Sequence, residues 1–182
     1  LILGDNFFYG NNFSKNLIKA SANNKSTIFL FPSNSPENYG VATVKKNQIL
    51  NIIEKPKKPK SNLAVTGLYF FDKDVVKFSK TLKPSKRKEI EIIDLLNKYR
   101  KKNKFSAEFL GRGGAWLDAG SIDDYYDTAS FVSTIQKRQG FKIACLEEIA
   151  LNKNWINKKI LSDSIKFYGN CDYSRYLKKL LF

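Results

Sequence analysis

The sequence contains no histidine and no methionine, and only two cysteines, among 182 residues. Without histidine, a Ser-His-Asp triad, a histidine general base and a histidine-ligated zinc are all excluded within this chain. Cys145 and Cys171 form neither a metal-ligand spacing nor a disulfide framework. Their scarcity points to a reducing, cytoplasmic setting. No apolar run approaches the roughly 18 residues of a membrane-spanning helix, and the first residues carry no basic segment of a signal peptide. The lack of methionine, with Leu1 opening what reads as a buried strand, gives the expectation of a fragment whose N-terminal part is missing. Acidic residues are also few, 17 against 32 Lys and Arg, for a net charge of +15. Such charge can bind nucleic acid, attract a small polyanionic substrate, or simply face solvent. The lysines are scattered (Lys57, Lys58, Lys60, then Lys83, Lys86, Lys88, then Lys101, Lys102, Lys104). No zinc-finger spacing, basic-region heptads or aromatic RNA-binding signature accompanies them. A solvated surface is therefore the main reading, with neither nucleic acid nor a membrane as partner.

What is present is a folded chain, 42% hydrophobic and 14% aromatic, long enough for one sizeable core. Two stretches organise it. In Leu1-Ile2-Leu3-Gly4-Asp5-Asn6, three apolar residues read as the tail of a buried strand, and Gly4 permits a tight turn. Asp5 then falls just beyond the strand's C-terminal end, where open α/β sheets place their ligands. On those letters alone a plain turn is the better reading. The second stretch, Ala115-Trp116-Leu117-Asp118-Ala119-Gly120, repeats the setting after a glycine-rich loop. Two such carboxylates can converge on Mg²⁺, a hard cation that often takes one or two carboxylates plus substrate phosphates.

Between these anchors the pattern alternates strands and helices. Asn6–Gly10 reads as a loop, and Asn11 or Asn12 as the cap of a helix to about Ala22. Ser26–Phe31, almost continuously apolar, reads as a strand buried on both faces. Val41–Lys45 and Gln48–Ile53 form a hairpin through Lys46-Asn47. A further strand lies within Asn62–Phe71, where Gly67 marks a bulge or a close backbone approach to a ligand. Asp72 caps a helix over Lys73–Ser79, and Ile90–Lys102 is an amphipathic helix with Ile92, Leu95, Leu96 and Tyr99 on its apolar face. Phe105–Leu110 is a strand. Ser121 starts a helix that ends at Gly140. Beyond Phe141 the period is helical or irregular. Residues 1–140 thus read as an α/β body and 141–182 as a helical appendage.

The chain closely resembles the bacterial glucose-1-phosphate thymidylyltransferases. The resemblance rests on Leu3-Gly4-Asp5-Asn6, Tyr39-Gly40-Val41, Glu54-Lys55-Pro56, Val65-Thr66-Gly67-Leu68-Tyr69, Gly111-Arg112-Gly113, Ala115-Trp116-Leu117-Asp118 and Arg138-Gln139-Gly140, in that order. It implies a Rossmann-like nucleotide-diphospho-sugar transferase fold with a mixed sheet. It also implies an in-line reaction of dTTP with glucose 1-phosphate, giving dTDP-glucose and pyrophosphate, as the first step of dTDP-rhamnose synthesis. By resemblance, Asp5 and Asp118 hold Mg²⁺, and Lys55 is the cation at the sugar phosphate. Arg87 is a second phosphate-binding cation, or else a solvated loop residue. Glu54 binds sugar hydroxyls, and Tyr39, Gly40 and Val65 line the sugar. Trp116 either closes over the site or belongs to the core. The helical end implies a homotetramer and a second, regulatory nucleotide site, to which Gly10, Arg112, Lys142 and Glu148 fall in comparable stretches.

The family's opening glycine-rich phosphate loop and its base-reading residues have no counterpart here. The expectation is that this chain alone binds nucleotide poorly and turns over nothing. Ala119 stands where Thr is commoner, and Ile53 where the family has Glu. A transferase of the same fold using UTP, CTP or ATP is the nearest rival. A glycosyltransferase would show an acidic pair split by one residue, which is not found at the expected strand end. A nucleic-acid-binding module is the non-enzymatic rival.

Overall fold

The computed structural model describes residues 1–46, 48–85 and 88–182. They divide into two compact units, Leu1–Tyr125 and Tyr126–Phe182. The first runs β1 (Asn6–Tyr9), α1 (Phe13–Ser21), β2 (Ser26–Pro32), a 3-10 turn (Pro36–Asn38), β3 (Gly40–Lys45), β4 (Gln48–Glu54), β5 (Leu63–Phe70), α2 (Asp74–Ser79), α3 (Ile92–Lys101), β6 (Phe105–Phe109), β7 (Ala115–Asp118) and the opening of α4 (Ile122–Gln139). The division falls inside α4, and the change of residue pattern at Gly140 lies within the second unit.

Five strands form one mixed sheet in the order β4-β3-β5-β2-β6, with β2 and β6 parallel and the other pairs antiparallel. The continuous apolar run of β2 has the reason expected of it. Ile28 and Leu30 pack with Ile93 and Leu96 of α3, while Phe29 points the other way, into a cluster with Ala20, Phe13 and Leu17 of α1. Adjacent residues of a strand face opposite sides, so only a strand covered on both faces tolerates such a run. The β3–β4 hairpin pairs Lys45 with Gln48 at its turn, shifts register by one residue between Thr43 and Val44, and then runs from Thr43↔Asn51 to Gly40↔Glu54. Lys46 turns in the left-handed region at φ 47°, and Asn47 lies outside the described residues. This register brings Glu54 beside Gly40 and sets Lys55 just past the strand end.

Four expectations are corrected. Leu1–Leu3 is extended and bonded to β5 (Leu3 N–H to Gly67 O, 2.8 Å; Tyr69 N–H to Leu1 O, 2.9 Å), but it is not buried: its residues are 63%, 56% and 42% exposed. Asn6–Tyr9 is not a loop but β1, an antiparallel partner of β7 in a separate two-stranded ribbon. Its four residues show no alternation, and its strand character comes from that distant partner. Asn12 does precede α1, but it adopts a left-handed conformation and its side chain makes no capping bond. Finally, α3 starts at Ile92, leaving Ile90 65% exposed; its buried face is Ile93, Leu95, Leu96 and Tyr99.

The second unit holds the rest of α4 with α5 (Leu146–Asn152), α6 (Lys158–Tyr168) and α7 (Asp172–Lys179). Leu161 and Ile165 pack on Tyr176, Leu177 and Cys145. α6 begins at Lys158, where the Asn157 side chain accepts the Ile160 N–H at 3.0 Å and caps it. Among the described residues, no helix is long and apolar enough to cross a membrane.

Candidate active site

The β1–β7 ribbon brings the two aspartates together. Asn6 pairs with Asp118, and the Ala119 N–H donates to the Asp5 carbonyl at 2.7 Å. Both carboxylates therefore emerge at the same end of the ribbon. A Cβ built on Gly120 would lie 3.6 Å from Asp118 Oδ1 and 3.8 Å from Asp5 Oδ2, so one oxygen of each acid borders the same small space. Burial pushes the Asp118 carboxyl up from its ordinary value, and the negative charges of Asp5 and Asp124 push it further, against the opposing pull of the Lys55 ammonium.

That space opens into a cavity of about 200 Å³. Its walls bring together Asp5, Asp118, Tyr39, Gly40, Glu54, Lys55, Val65 and Trp116 from separate parts of the first unit. Gly40 has a packing reason: a Cβ there would lie 2.6 Å from Ile93 Cδ1 and 3.3 Å from Glu54 Oε2. Lys55 is exposed and sits in the left-handed region at φ 41°, its N–H bonded to the Tyr39 carbonyl at 3.0 Å. A non-glycine residue held there costs on the order of 1 kcal/mol or more, and such strain collects at functional sites. Trp116 lies between the two places expected of it as alternatives. It packs edge-on against Phe31 in the core, and at 4.9 Å against Tyr39 on the cavity wall. Val65 is buried beneath the cavity. A larger hollow of about 420 Å³ lies in the second unit, beside Lys137, Lys142 and Arg175. It lacks paired carboxylates, so size alone does not mark the site.

Asn6 and Tyr69 line the cavity and escaped the sequence reading. Asn6 Nδ2 donates to Asp5 Oδ1 at 2.9 Å, while Asn6 Oδ1 accepts the Gly67 N–H at 2.8 Å and the Trp116 Nε1–H at 2.6 Å. Gly67, read as a bulge or a close approach to a ligand, carries the bulged register of β5 against β2 and lies against Asn6. Tyr69, only 3% exposed, has its hydroxyl pushed up by burial and then by the charges of Glu54 and Asp118, so it presents a neutral group to the cavity. Only the run Val65–Tyr69, with period 2 around a glycine, hinted at it.

The remaining candidates stand elsewhere. Arg87 lies outside the described residues. Gly10 abuts Gly114, whose Cα would be 2.8 Å from an added Cβ, and Arg112 is exposed in the turn between β6 and β7. In the second unit, Lys142 Nζ donates to Gln136 Oε1 at 3.2 Å, and Glu148 accepts the Tyr176 hydroxyl at 2.6 Å.

The donor set fits Mg²⁺. Among the described residues no group of three or more His, Cys, Asp and Glu side chains is arranged around a metal. A magnesium ion that shares substrate phosphates needs no more than one or two carboxylates, however, and keeps waters besides. Two like charges aimed at one space, one of them with a raised pKa, are what a divalent cation would relieve.

The profile of the nucleotidyl transferase family matches residues 1–135. The chain belongs to this family. As a nucleotidyl transferase it is 44% identical to the glucose-1-phosphate thymidylyltransferase of Neisseria meningitidis, over 100% of this chain and 64% of that protein. It is 42% identical to the enzyme of the same name from Xanthomonas campestris, over 99% of this chain and 62% of that one. It thus spans a little under two thirds of the length of these curated relatives. Among solved structures, a protein from Bacillus anthracis assigned as a glucose-1-phosphate thymidylyltransferase, crystallised with a sucrose, superposes with a TM-score of 0.62 at 35% identity, over 71% of this chain and 52% of that one. The α/β fold with a mixed sheet and C-terminal helices is that of the nucleotidyl transferases.

Proposed function

We propose that this nucleotidyl transferase chain supplies the metal and sugar-phosphate side of a glucose-1-phosphate thymidylyltransferase, acting at the first step of dTDP-rhamnose synthesis. The observation that carries the reading is the single cavity shared by Asp5, Asp118, Lys55 and Glu54. The names of the relatives support the substrates, dTTP and glucose 1-phosphate.

In this reaction a phosphate oxygen of glucose 1-phosphate bonds to the α-phosphorus of dTTP. The bond from that phosphorus to the bridging oxygen breaks, and pyrophosphate leaves with the electron pair. No protein nucleophile is needed, in keeping with a chain without histidine. The difficulty is to bring two anions together, so positioning and charge neutralisation are the protein's contribution. Lys55, at the strand end, holds the sugar phosphate and meets the charge that builds on the reacting phosphate; Arg87 is the second cation of the proposal. Glu54 accepts hexose hydroxyls, with Tyr39, Gly40 and Val65 shaping the sugar's side of the cavity and Trp116 closing its wall. Asp5 and Asp118 would hold Mg²⁺, which when bound neutralises phosphate oxygens and orients them.

Calorimetric titration with glucose 1-phosphate tests the reading. Binding that weakens in Lys55→Ala and in Glu54→Gln is expected, since hydrogen bonds to a charged group contribute about 1.5–3 kcal/mol. Binding indifferent to both changes would overturn it. The proposal includes a reducing cytoplasmic setting, supported by two free cysteines. It also includes a homotetramer, supported by the exposed Tyr126, Leu146, Trp155 and Phe167 and checked by sedimentation.

A further inference from the structure

We propose that Asn6 is a positioning residue that decides which oxygen of Asp5 faces Asp118, and that Gly67 is glycine because the Asn6 amide lies on it. The proposal rests on the reading of Asp5 and Asp118 as the metal's carboxylates.

The amide has only one orientation here. The Gly67 N–H and the Trp116 indole N–H can only donate, and both meet Oδ1, at 2.8 and 2.6 Å. Nδ2 is thereby turned to Asp5 and donates to Oδ1 at 2.9 Å. With Oδ1 engaged, Oδ2 is the Asp5 oxygen that borders the space beside Gly120, across from Asp118 Oδ1. An aspartate free to rotate would offer either oxygen in many directions. Held in this way, it offers one oxygen in one direction.

Gly67 completes the device. A Cβ there would lie 2.6 Å from Asn6 Cγ and 2.7 Å from both Nδ2 and Oδ1. No side chain fits without expelling the amide. The same amide fixes the Trp116 indole, which packs on Tyr39 at 4.9 Å. One side chain thus ties the carboxylate end of the cavity to its aromatic wall.

The test uses the full chain in a Trp155→Phe background, so that Trp116 is the only tryptophan, with Mn²⁺ alone as the probe, read by electron paramagnetic resonance. Asn6→Ala is expected to weaken Mn²⁺ binding roughly 10–100-fold, the range for residues that orient metal ligands, and to shift Trp116 emission as the indole loses its acceptor. Gly67→Ala reaches the same contact from the other side and keeps the test alive should Asn6→Ala fail to fold. The double variant is expected to bind no more weakly than Asn6→Ala, because both changes remove one interaction. Circular dichroism and melting separate loss of fold from loss of positioning. Asn6→Ala binding Mn²⁺ like the parent, while Asp5→Asn does not, would overturn the proposal and leave the metal reading standing. Unchanged binding in Asp5→Asn would instead overturn the metal reading itself.

Discussion

Two pairs of acids in this chain are treated in opposite ways. In the first unit, Asp5 and Asp118 each turn an oxygen to the same space, and the Asp118 carboxyl is pushed up by burial and then by its acidic neighbours. In the second unit, Glu147 and Glu148 are given hydroxyl donors. Glu147 accepts from Tyr168 at 2.8 Å and from Tyr173 at 2.5 Å, and Glu148 accepts from Tyr176 at 2.6 Å. Burial alone would raise the Glu147 carboxyl, yet those two hydroxyls bring it below its ordinary value. Glu147 and Glu148 are supplied with hydroxyl donors by their own unit, whereas Asp5 keeps Oδ2 and Asp118 keeps Oδ1 toward one space, which on the proposed reading takes a cation.

The sharpest break of that contrast is to neutralise one acid on each side. Asp118→Asn or Asp5→Asn is expected to weaken Mg²⁺ or Mn²⁺ binding by roughly 100-fold or more, beyond the range for a residue that merely orients a ligand. Glu147→Gln is expected to leave that affinity unchanged, as titration calorimetry can show. Equal losses in both units would mean that the metal does not distinguish the pairs.

Gly120→Ala makes a finer cut in the first pair. The backbone of Gly120 is not in the left-handed region, so alanine fits, yet its methyl would touch Asp118 Oδ1 and Asp5 Oδ2 at 3.6 and 3.8 Å. The acids stay and the space between them shrinks. The expected loss of Mn²⁺ affinity is on the order of tenfold, with the melting temperature little changed.

Much of this was written in local sequence, and some was not. Asp5 and Asp118 were legible because each follows an apolar run and stands next to a glycine-containing turn, a local signature. Their meeting depends on β1, which no local pattern announces: Asn6-Phe7-Phe8-Tyr9 becomes a strand only by pairing with Ala115–Asp118. The same distance hid Asn6, whose three partners lie at positions 5, 67 and 116. The left-handed backbone of Lys55 was also hidden, because lysine carries no signal for it. The donors of Glu147 and Glu148 come from α6 and α7, so a Glu-Glu pair read along the chain looks like a charged helix start.

A smaller effect tests the donor-supplied side. Tyr173→Phe removes one of two hydroxyls from Glu147. It is expected to cost about 1 kcal/mol at neutral pH, the low end for a bond to a charged group because the pair is partly in water. A carboxylate held below its ordinary pKa stabilises the fold above the ordinary value and loses that contribution as pH falls through the lowered one. The difference between parent and variant is therefore expected to close in acid. A gap in melting temperature that persists at low pH would assign the effect instead to the hydroxyl's other contact, Cys145 Sγ at 3.2 Å.

The smallest expected effect has the opposite sign. Asp118 is raised, so the native state binds its proton more tightly than the unfolded chain does. Stability then falls as pH climbs from the ordinary carboxylate value through the raised one, and the penalty is complete above it. Asparagine at this position has no charge to lose. Without metal, Asp118→Asn is expected to melt at the same temperature as the parent in acid and a few degrees higher at most near neutrality, because solvent screens a half-buried group. Saturating Mg²⁺ should reverse the order, since a ligand that binds only the native state stabilises the parent by mass action and leaves the variant behind. A pair retained for structure would show neither the gain nor its reversal.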